Sequence, residues 1–297
     1  MIAAGIILAL LLAALIAFGF YMAGYTMRIK RQTLEQARAW QEAHYDLSWY
    51  DGLEKEDYTV ESYDGYVLHA QFLRNPEPSG RYIILSHGYT DNRFGALKYG
   101  KLYLDLGFNL IVYDLRGHGL NEPTFCTYSA RESRDLVALI EDARRRFADM
   151  KALGLHGESL GAATTVASLK YRPAVDFAVA DCGFAEISSV LRAGVRAMKL
   201  PGWLVEVASA CAKVRFGYGY DQMRPIDSLA DATTPILFIH GAEDDFITPD
   251  HARRMADAAR GEKMLAIIPG AKHAYSILTD PDLYADTVRG FLDRTLE

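Results

Sequence analysis

The pattern of apolar and polar positions divides the chain into alternating short and long segments from residue 58 onward. Short apolar runs are typical of buried strands, and the longer stretches between them repeat apolar residues at helical spacing. In residues 130–147, for example, Leu136, Leu139, Ile140 and Phe147 recur at the spacing of one helix face. The predicted strands are residues 58–62, 67–73, 81–85, 108–113, 152–156, 176–180, 235–239 and 264–268.

This alternation predicts an α/β fold with eight strands and helices on both faces of a mostly parallel sheet. The Asp64-Gly65 pair between the first two runs favours a hairpin. The later strands are separated by helical segments, so we expect them to pair in parallel through right-handed crossovers. With 297 residues, half of them hydrophobic, the chain is long enough for one such domain with a substantial core.

One insertion interrupts the alternation between about residues 183 and 230. Apolar residues at helical spacing predict an amphipathic helix that begins near Ile187, Leu200-Pro201-Gly202 breaks it, and residues 204–214 predict a second helix. We expect a small helical cap over the sheet. Its aromatic residues either line a substrate pocket or pack in the core, and the pattern leaves both open: they are Trp203, Phe216, Tyr218 and Tyr220.

The N-terminal segment has a different pattern, because residues 2–27 carry no charged side chain. Twenty-six helical residues span about 39 Å, which is enough to cross a hydrocarbon core of roughly 30 Å. A cleaved signal peptide is the competing interpretation, but it requires a basic region at its start, which residues 2–5 lack. We therefore expect a single-pass transmembrane anchor over residues 1–27.

The remaining organisation follows from this anchor. Residues 28–57 are predicted to be a juxtamembrane linker with a polar helical stretch, and residues 58–297 the folded domain with its cap. Arg28, Lys30 and Arg31 follow the apolar run directly, and basic residues favour the cytoplasmic side of a membrane. We expect the domain to face the cytoplasm, with an external domain as the main alternative.

The pentapeptide Gly157-Glu158-Ser159-Leu160-Gly161 lies between the predicted strand 152–156 and a helix-like stretch. In that setting a Gly-x-Ser-x-Gly sequence forms a sharp turn that projects the serine oxygen away from the sheet, and the two glycines allow strand and helix to approach closely. The pattern makes Ser159 a candidate nucleophile. A match of this kind can also arise by chance, so its meaning depends on an acid and a base elsewhere in the chain.

Both partners occur after Ser159 and in the loops that follow predicted strands. Asp244 follows the run 235–239, and His273 follows the run 264–268. A serine hydroxyl is a weak nucleophile at neutral pH, so a histidine must accept its proton during attack and return it to the leaving group. A carboxylate fixes the tautomer of that histidine and stabilises the imidazolium. We predict Ser159, Asp244 and His273 as catalytic residues, with Asp245 and Asp181 as rival acids.

A tetrahedral intermediate also needs hydrogen-bond donors for its oxyanion. The residue after the nucleophile supplies one backbone N–H, which here belongs to Leu160. Ser86-His87-Gly88-Tyr89-Thr90 follows the predicted strand 81–85, in the position of the loop that supplies the second donor. We assign that donor to the backbone N–H of Tyr89.

Taken together, these motifs are similar to those of the α/β-hydrolase superfamily, and in particular of bacterial membrane-anchored serine hydrolases of the esterase type. The resemblance covers roughly residue 58 to the C-terminus. The motifs that carry it are His87-Gly88-Tyr89, Tyr113-Asp114-Leu115-Arg116-Gly117-His118-Gly119, the pentapeptide around Ser159, His240-Gly241-Ala242-Glu243-Asp244 and Gly270-Ala271-Lys272-His273. The resemblance implies an α/β-hydrolase fold and cleavage of a small-molecule acyl ester through an acyl-enzyme intermediate, without a cofactor. It says much less about the substrate.

Composition excludes some alternatives and leaves others open. A net charge of −6 argues against nucleic-acid binding, which needs a clustered basic surface. The motifs of metal and nucleotide sites are missing from the sequence, and three widely spaced cysteines favour a reducing compartment over a disulfide framework. A peptidase, an amidase or a thioesterase on the same fold stays open. A non-catalytic, membrane-tethered binding module is the alternative from a different class.

Overall fold

Eight strands form one sheet in the computed structural model, which describes residues 1–296. They are β1 (Lys55–Glu61), β2 (Val67–Leu73), β3 (Arg81–Ser86), β4 (Phe108–Tyr113), β5 (Ala152–Glu158), β6 (Phe177–Asp181), β7 (Ile236–Gly241) and β8 (Lys263–Ile268). Their order is β1-β2-β4-β3-β5-β6-β7-β8, with β2 antiparallel to both β1 and β4 and all other neighbours parallel. The mostly parallel eight-stranded sheet and its hairpin are thereby confirmed.

Helices cover both faces of this sheet. The α-helices are α1 (Ile2–Met27), α2 (Leu34–His44), α3 (Ser48–Asp51), α4 (Gly100–Asp105), α5 (Glu132–Arg146), α6 (Leu160–Ser168), α7 (Ile187–Ala197), α8 (Leu204–Phe216), α9 (Asp250–Ala258), α10 (Ser276–Thr279) and α11 (Pro281–Thr295). A 3₁₀ segment, Arg93–Tyr99, precedes α4. The central strands are continuous apolar runs because helices exclude water from both faces of the sheet.

Two hydrophobic cores flank the sheet, and successive residues of one strand contribute to opposite cores. Ile84 of β3 belongs to the core that also contains Leu155 and Val166, whereas Ile83 and Leu85 belong to the other core. This division follows from the two-residue period of side chains along a strand. Burial on both sides fixes the register of the strands whose carboxyl ends carry the candidate site.

The cap predicted for residues 183–230 is present and contains α7 and α8, followed by the short 3₁₀ segments Tyr220–Gln222 and Pro225–Ser228. The C-terminal half of α1 packs along α8. A side chain on Gly19 of α1 would lie 2.7 Å from Sγ of Cys211, so glycine permits the close approach of the two helices. Ala23 and Met27 are fully buried in the same core as the cap residues. Helix α1 is therefore partly an element of the folded domain.

The segment between α1 and the sheet is also folded against the domain. Helix α2 begins with a capping box in which Thr33 and Gln36 exchange side-chain to backbone hydrogen bonds. Ala37, Leu47 and Tyr50 of this segment are buried in the second core. Residues 28–57 thus form two packed helices and the start of β1, in addition to connecting α1 with the sheet.

Candidate active site

Ser159 lies at the turn from β5 to α6, where its backbone has φ 53° and ψ −110°. A positive φ is rare for a residue with a side chain and is characteristic of the strained serine in such a turn. Close backbone contacts leave no room for a side chain at the two flanking glycines. A Cβ atom on Gly157 would lie 2.2 Å from the carbonyl oxygen of Gly161, and one on Gly161 would lie 2.1 Å from that of Ser86. The turn therefore closes only with glycine at both positions.

The structure brings Ser159, His273 and Asp244 together, and we call these three residues the relay. Nε2 of His273 lies 3.0 Å from Oγ of Ser159, and Nδ1 of His273 lies 2.7 Å from Oδ2 of Asp244. Asp244 follows β7 and His273 follows β8, so both side chains come from the carboxyl edge of the sheet, where open α/β folds build their sites. Both distances are within hydrogen-bond reach.

The Asp244 carboxylate is held by more than His273. Its Oδ1 accepts hydrogen bonds from the backbone N–H groups of Phe246 (3.0 Å) and Ile247 (2.8 Å), and its Oδ2 lies 3.1 Å from Nε2 of His240. Burial raises the pKa of Asp244, but the hydrogen bonds from His240, His273 and the backbone outweigh it and hold the pKa well below its usual range. Asp244 is consequently ionised at neutral pH and can accept a hydrogen bond from the protonated Nδ1 of His273.

The residues assigned as oxyanion donors are Leu160, which is next to Ser159 in the chain, and Tyr89, which follows β3. Leu160 is the first residue of α6, where the backbone N–H has no acceptor within the helix. Tyr89 lies in the loop after β3, and its phenol donates a hydrogen bond of 2.5 Å to the carbonyl of Arg28. The adjacent His87 is fully buried, which lowers its pKa to about 3, and its Nε2 accepts a hydrogen bond from the backbone of Leu115. A neutral His87 thus fixes the loop that carries Tyr89.

A cavity of about 450 Å³ opens over Ser159. Within residues 1–296 its lining includes no charged side chain, and most of its walls are aliphatic or aromatic. The cap contributes Val190, Met198 and Leu204, among others, and α1 contributes Phe18 and Met22. A volume of this size is in the usual range for small-molecule sites. The cavity therefore favours an apolar group next to the Ser159 hydroxyl.

Comparison with known proteins identifies the family to which this fold belongs. The model of the alpha/beta hydrolase family matches residues 83–287, which contain all three relay residues. The chain belongs to the alpha/beta hydrolase family. Membership of this family supports the assignment of the chain to the hydrolases.

Relatives of this hydrolase extend beyond the region that the family model covers. The uncharacterized protein YqkD of Bacillus subtilis is 32% identical over 289 residues, which are 95% of this chain and 94% of YqkD. The uncharacterized membrane protein YNL320W of Saccharomyces cerevisiae is 23% identical over 251 residues, covering 84% of this chain and 83% of the yeast protein. The similarity to YqkD thus reaches into the N-terminal region as well.

Among solved structures, the fold is similar to that of the Pyrococcus furiosus esterase Pf2001, with a TM-score of 0.68 at 21% identity. The match covers 82% of this chain and 92% of the esterase. At this level of identity the comparison shows the fold, and it confirms the fold predicted from the motifs.

A second set of buried polar side chains lies next to the Ser159 turn. We call these residues the sealed cluster: Lys98, Tyr99, Glu158, Asp181 and Tyr284. Lys98 forms an ion pair with Glu158, and the Tyr99 hydroxyl lies 2.7 Å from a carboxylate oxygen of Glu158 and 3.0 Å from one of Asp181, so it can donate its one proton to either. The Tyr284 hydroxyl donates to Asp181 at 3.0 Å. Burial, together with the negative charge of Glu158, raises the pKa of Asp181 to about 6. Asp181 therefore faces tyrosines rather than His273.

Lys98 connects the sealed cluster with the loop of the relay histidine. In addition to its ion pair with Glu158, its Nζ donates a hydrogen bond of 3.2 Å to the carbonyl of Ala274. Burial lowers the pKa of Lys98, but the Glu158 carboxylate outweighs it, so the net shift is upward and the ammonium is retained. Ala274 has φ 62°, a strained value for alanine. Lys98 thus contacts both the residue before Ser159 and the residue after His273.

Several candidates from the sequence have other roles or lie elsewhere. Of the four cap aromatics, only Tyr220 lines the cavity over Ser159, whereas Trp203 is 53% exposed. The three cysteines are buried and unpaired. Within residues 1–296 no group of three or more His, Cys, Asp or Glu side chains is arranged to hold a metal ion. Sequence reasoning missed Lys98, the contact of His240 with Asp244, and the contribution of α1 to the cavity.

Proposed function

We propose that this chain is a serine hydrolase that cleaves carboxylic esters through an acyl-enzyme intermediate. One observation carries the proposal: hydrogen bonds join Ser159 to His273 and His273 to an ionised Asp244, beside an uncharged cavity. Ester cleavage is favoured over other acyl transfers because the motifs around the site are similar to those of esterases. Amides and thioesters would use the same groups and are separated by the test below.

In the first half of the proposed reaction, Oγ of Ser159 attacks the carbonyl carbon of the ester while its proton moves to Nε2 of His273. The carbonyl π electrons move onto oxygen, and the backbone N–H groups of Tyr89 and Leu160 donate to that oxyanion. When the carbonyl re-forms, the bond to the alcohol oxygen breaks and the alcohol leaves with the proton from Nε2. The acyl group remains on Ser159.

In the second half, water attacks the acyl carbon and gives one proton to Nε2 of His273. The second tetrahedral intermediate collapses with cleavage of the bond to Oγ of Ser159, which recovers its proton from His273. The acid product then dissociates. Asp244 stabilises the imidazolium of His273 in both halves and keeps Nδ1 protonated.

The test uses the full-length protein in detergent micelles with a fluorophosphonate probe, followed by p-nitrophenyl acetate, a matched anilide and a matched thioester. Wild type is expected to be labelled once and to cleave the ester fastest, and Ser159→Ala to lose both properties. Ser48→Ala is the matched control, because Ser48 is exposed in α3 and lies outside the cavity lining. Turnover that persists in Ser159→Ala would contradict the proposal, and faster cleavage of the anilide or the thioester would reassign the substrate class.

We also propose that α1 anchors the hydrolase in a membrane as a single-pass helix, with the catalytic domain in the cytoplasm. Its 26 residues are long and apolar enough to cross a bilayer, and its first half is exposed. The basic residues Arg28, Lys30 and Arg31 support this orientation. Added protease should leave the domain intact in whole cells and degrade it after lysis; degradation in intact cells would reverse the orientation.

A further inference from the structure

Helix α1 supplies a wall of the cavity over Ser159. Phe18, Met22 and Thr26 line the cavity and are spaced four residues apart, so they occupy one face of the helix. Hydroxyl contacts hold this face in place: Oγ1 of Thr26 lies 2.5 Å from the Tyr220 hydroxyl, and the Tyr128 hydroxyl donates to the carbonyl of Thr26. The cavity is therefore incomplete without the helix that is also the membrane-spanning candidate.

The contacts between α1 and α8 show how the two helices run. Gly19 approaches Val207 and Cys211, and Gly24, five residues later, approaches Arg215. Because the contacts advance along both helices in the same direction, the two helices are parallel. The N-terminal end of α8, with Trp203 just before it, therefore points the same way as the exposed half of α1.

The bilayer has to reach the level of the cavity if α1 crosses it. A crossing takes about 20 consecutive helical residues, and every window of that length within Ile2–Met27 contains Phe18. Phe18 lines the cavity. The membrane-embedded part of α1 consequently overlaps with the part that forms the cavity wall.

The tip of the cap presents an apolar surface on the side toward which the exposed half of α1 points, and we call Met198, Leu200 and Trp203 the cap edge. Their exposed fractions are 58%, 39% and 53%. Exposed apolar side chains grouped in this way are characteristic of a surface that contacts a membrane or a partner, and tryptophan is enriched at the membrane interface. Met198 also lines the cavity. The cavity thus reaches the surface at the cap edge, where a bilayer around α1 would meet the domain.

We propose that the substrate is a lipid ester resident in the bilayer, whose fatty acyl chain passes from the membrane between α1 and the cap edge into the cavity. This inference rests on the proposed esterase function and uses the same bond-breaking steps, with the lipid alcohol as the leaving group. If each carbon group of an acyl chain takes about the volume of one water molecule, roughly 30 Å³, the cavity has room for on the order of 15 carbon groups. An uncharged lining accepts an acyl chain and disfavours a charged one.

The test compares wild type, Met22→Trp, Tyr21→Trp and Ser159→Ala, each full-length and reconstituted in phosphatidylcholine vesicles. The substrates are a fluorogenic long-chain monoacylglycerol analogue in the vesicles, p-nitrophenyl acetate in solution, and a palmitoylated cysteine peptide. Met22 faces the cavity, whereas Tyr21 is its exposed neighbour outside the lining. Wild type is expected to prefer the lipid ester, Met22→Trp to lower the ratio of lipid to acetate turnover at least tenfold, and Tyr21→Trp to leave both rates within twofold.

Each outcome separates the inference from the function on which it rests. One outcome would overturn the lipid substrate and leave the esterase intact. In it, wild type cleaves p-nitrophenyl acetate in a Ser159-dependent way, cleaves the lipid ester more slowly than the acetate, and Met22→Trp does not change the rate of lipid cleavage. Preferred cleavage of the palmitoylated peptide would replace a lipid ester with an acylated protein. Absence of any Ser159-dependent turnover would overturn the esterase itself. A measurement on wild type alone serves as a check if Met22→Trp does not fold: a long-chain fluorophosphonate should label Ser159 faster than a short-chain one.

Discussion

The relay and the sealed cluster both adjoin the turn at Ser159, and aspartate is the one side-chain type that they share. Both contain an aspartate at or just beyond the carboxyl end of a strand, Asp244 after β7 and Asp181 in β6. Asp244 contacts a histidine whose side chain is 22% exposed, whereas Asp181 contacts two tyrosines that are fully buried. The pKa of Asp244 is lowered and that of Asp181 is raised to about 6.

This difference shows that residue type and position at the sheet edge do not by themselves define a catalytic acid. Asp244 receives hydrogen bonds from histidines and from the backbone, which stabilise its charge. Asp181 lies beside Glu158, a like charge, and is shielded from solvent. The relay is suited to proton transfer with a bound substrate, while the sealed cluster is suited to holding the turn and the His273 loop in place.

The largest expected effect separates the two aspartates directly. Asp244→Asn should lower kcat/KM for p-nitrophenyl acetate by about 10⁴-fold, because the wrong tautomer of His273 then faces Ser159. Asp181→Asn should lower it less than tenfold, since Asp181 does not contact the relay histidine. Steady-state kinetics on both variants check this prediction. Equal losses would mean that the two clusters act as one catalytic unit.

The next effect concerns stability rather than chemistry. Lys98→Met leaves the Glu158 carboxylate buried without its partner, which costs about 3–5 kcal/mol in the free energy of unfolding. The double variant Lys98→Met/Glu158→Gln removes both charges and should recover most of that loss. Chemical denaturation in a fixed detergent measures all three proteins. If the double variant is as unstable as the single one, the ion pair is not what stabilises the sealed cluster.

The turn between the clusters provides a third test. A Cβ atom at Gly161 would lie 2.1 Å from the backbone oxygen of Ser86, so Gly161→Ala has to displace the turn. A displacement of about 1 Å costs on the order of 10²-fold in rate. Gly290→Ala in α11 is the matched control, because no atom beyond the adjacent residues and the local helix backbone lies within 4 Å of the added methyl group, and activity should be unchanged. Full activity in Gly161→Ala would show that the relay tolerates movement of Ser159.

The smallest effect is a pH dependence of stability. Since the pKa of Asp181 is raised to about 6 in the folded protein from 3.8, the folded state holds a proton that the unfolded state releases between about pH 4 and 6. This group's contribution is present at low pH and is lost as the pH rises through about 6. The melting midpoint of Asp181→Asn should therefore rise relative to wild type over this interval, by on the order of a few degrees. A difference that is constant from pH 4 to 7 would contradict the raised pKa.

Sequence reasoning succeeded where the signal was local. The apolar runs predicted the strands, and the glycines around Ser159 predicted a turn whose geometry requires them. The structure places Asp244 and His273, which were chosen from chain order and position after strands, within hydrogen-bond reach of one another.

Sequence reasoning failed where the decisive contact belongs to no motif and to no periodic pattern. Met22 and Leu11 are both apolar residues in one uniform helix, and only packing against the cap makes Met22 part of the cavity. In the sequence Lys98 resembles any surface lysine, and only the fold buries it beside Glu158. Contacts of this kind belong to no sequence motif and leave no periodic pattern to detect.

The proposed acyl-enzyme mechanism is tested most directly by trapping the covalent intermediate. Wild type is mixed with a slowly deacylating p-nitrophenyl ester, quenched in acid within the burst of p-nitrophenol release, and analysed by mass spectrometry of the intact chain and its peptides. An acyl-enzyme mechanism predicts one acyl group per chain, located on Ser159, and none on Ser159→Ala. An acyl group on another residue, or steady turnover by a chain that never carries one, would contradict it.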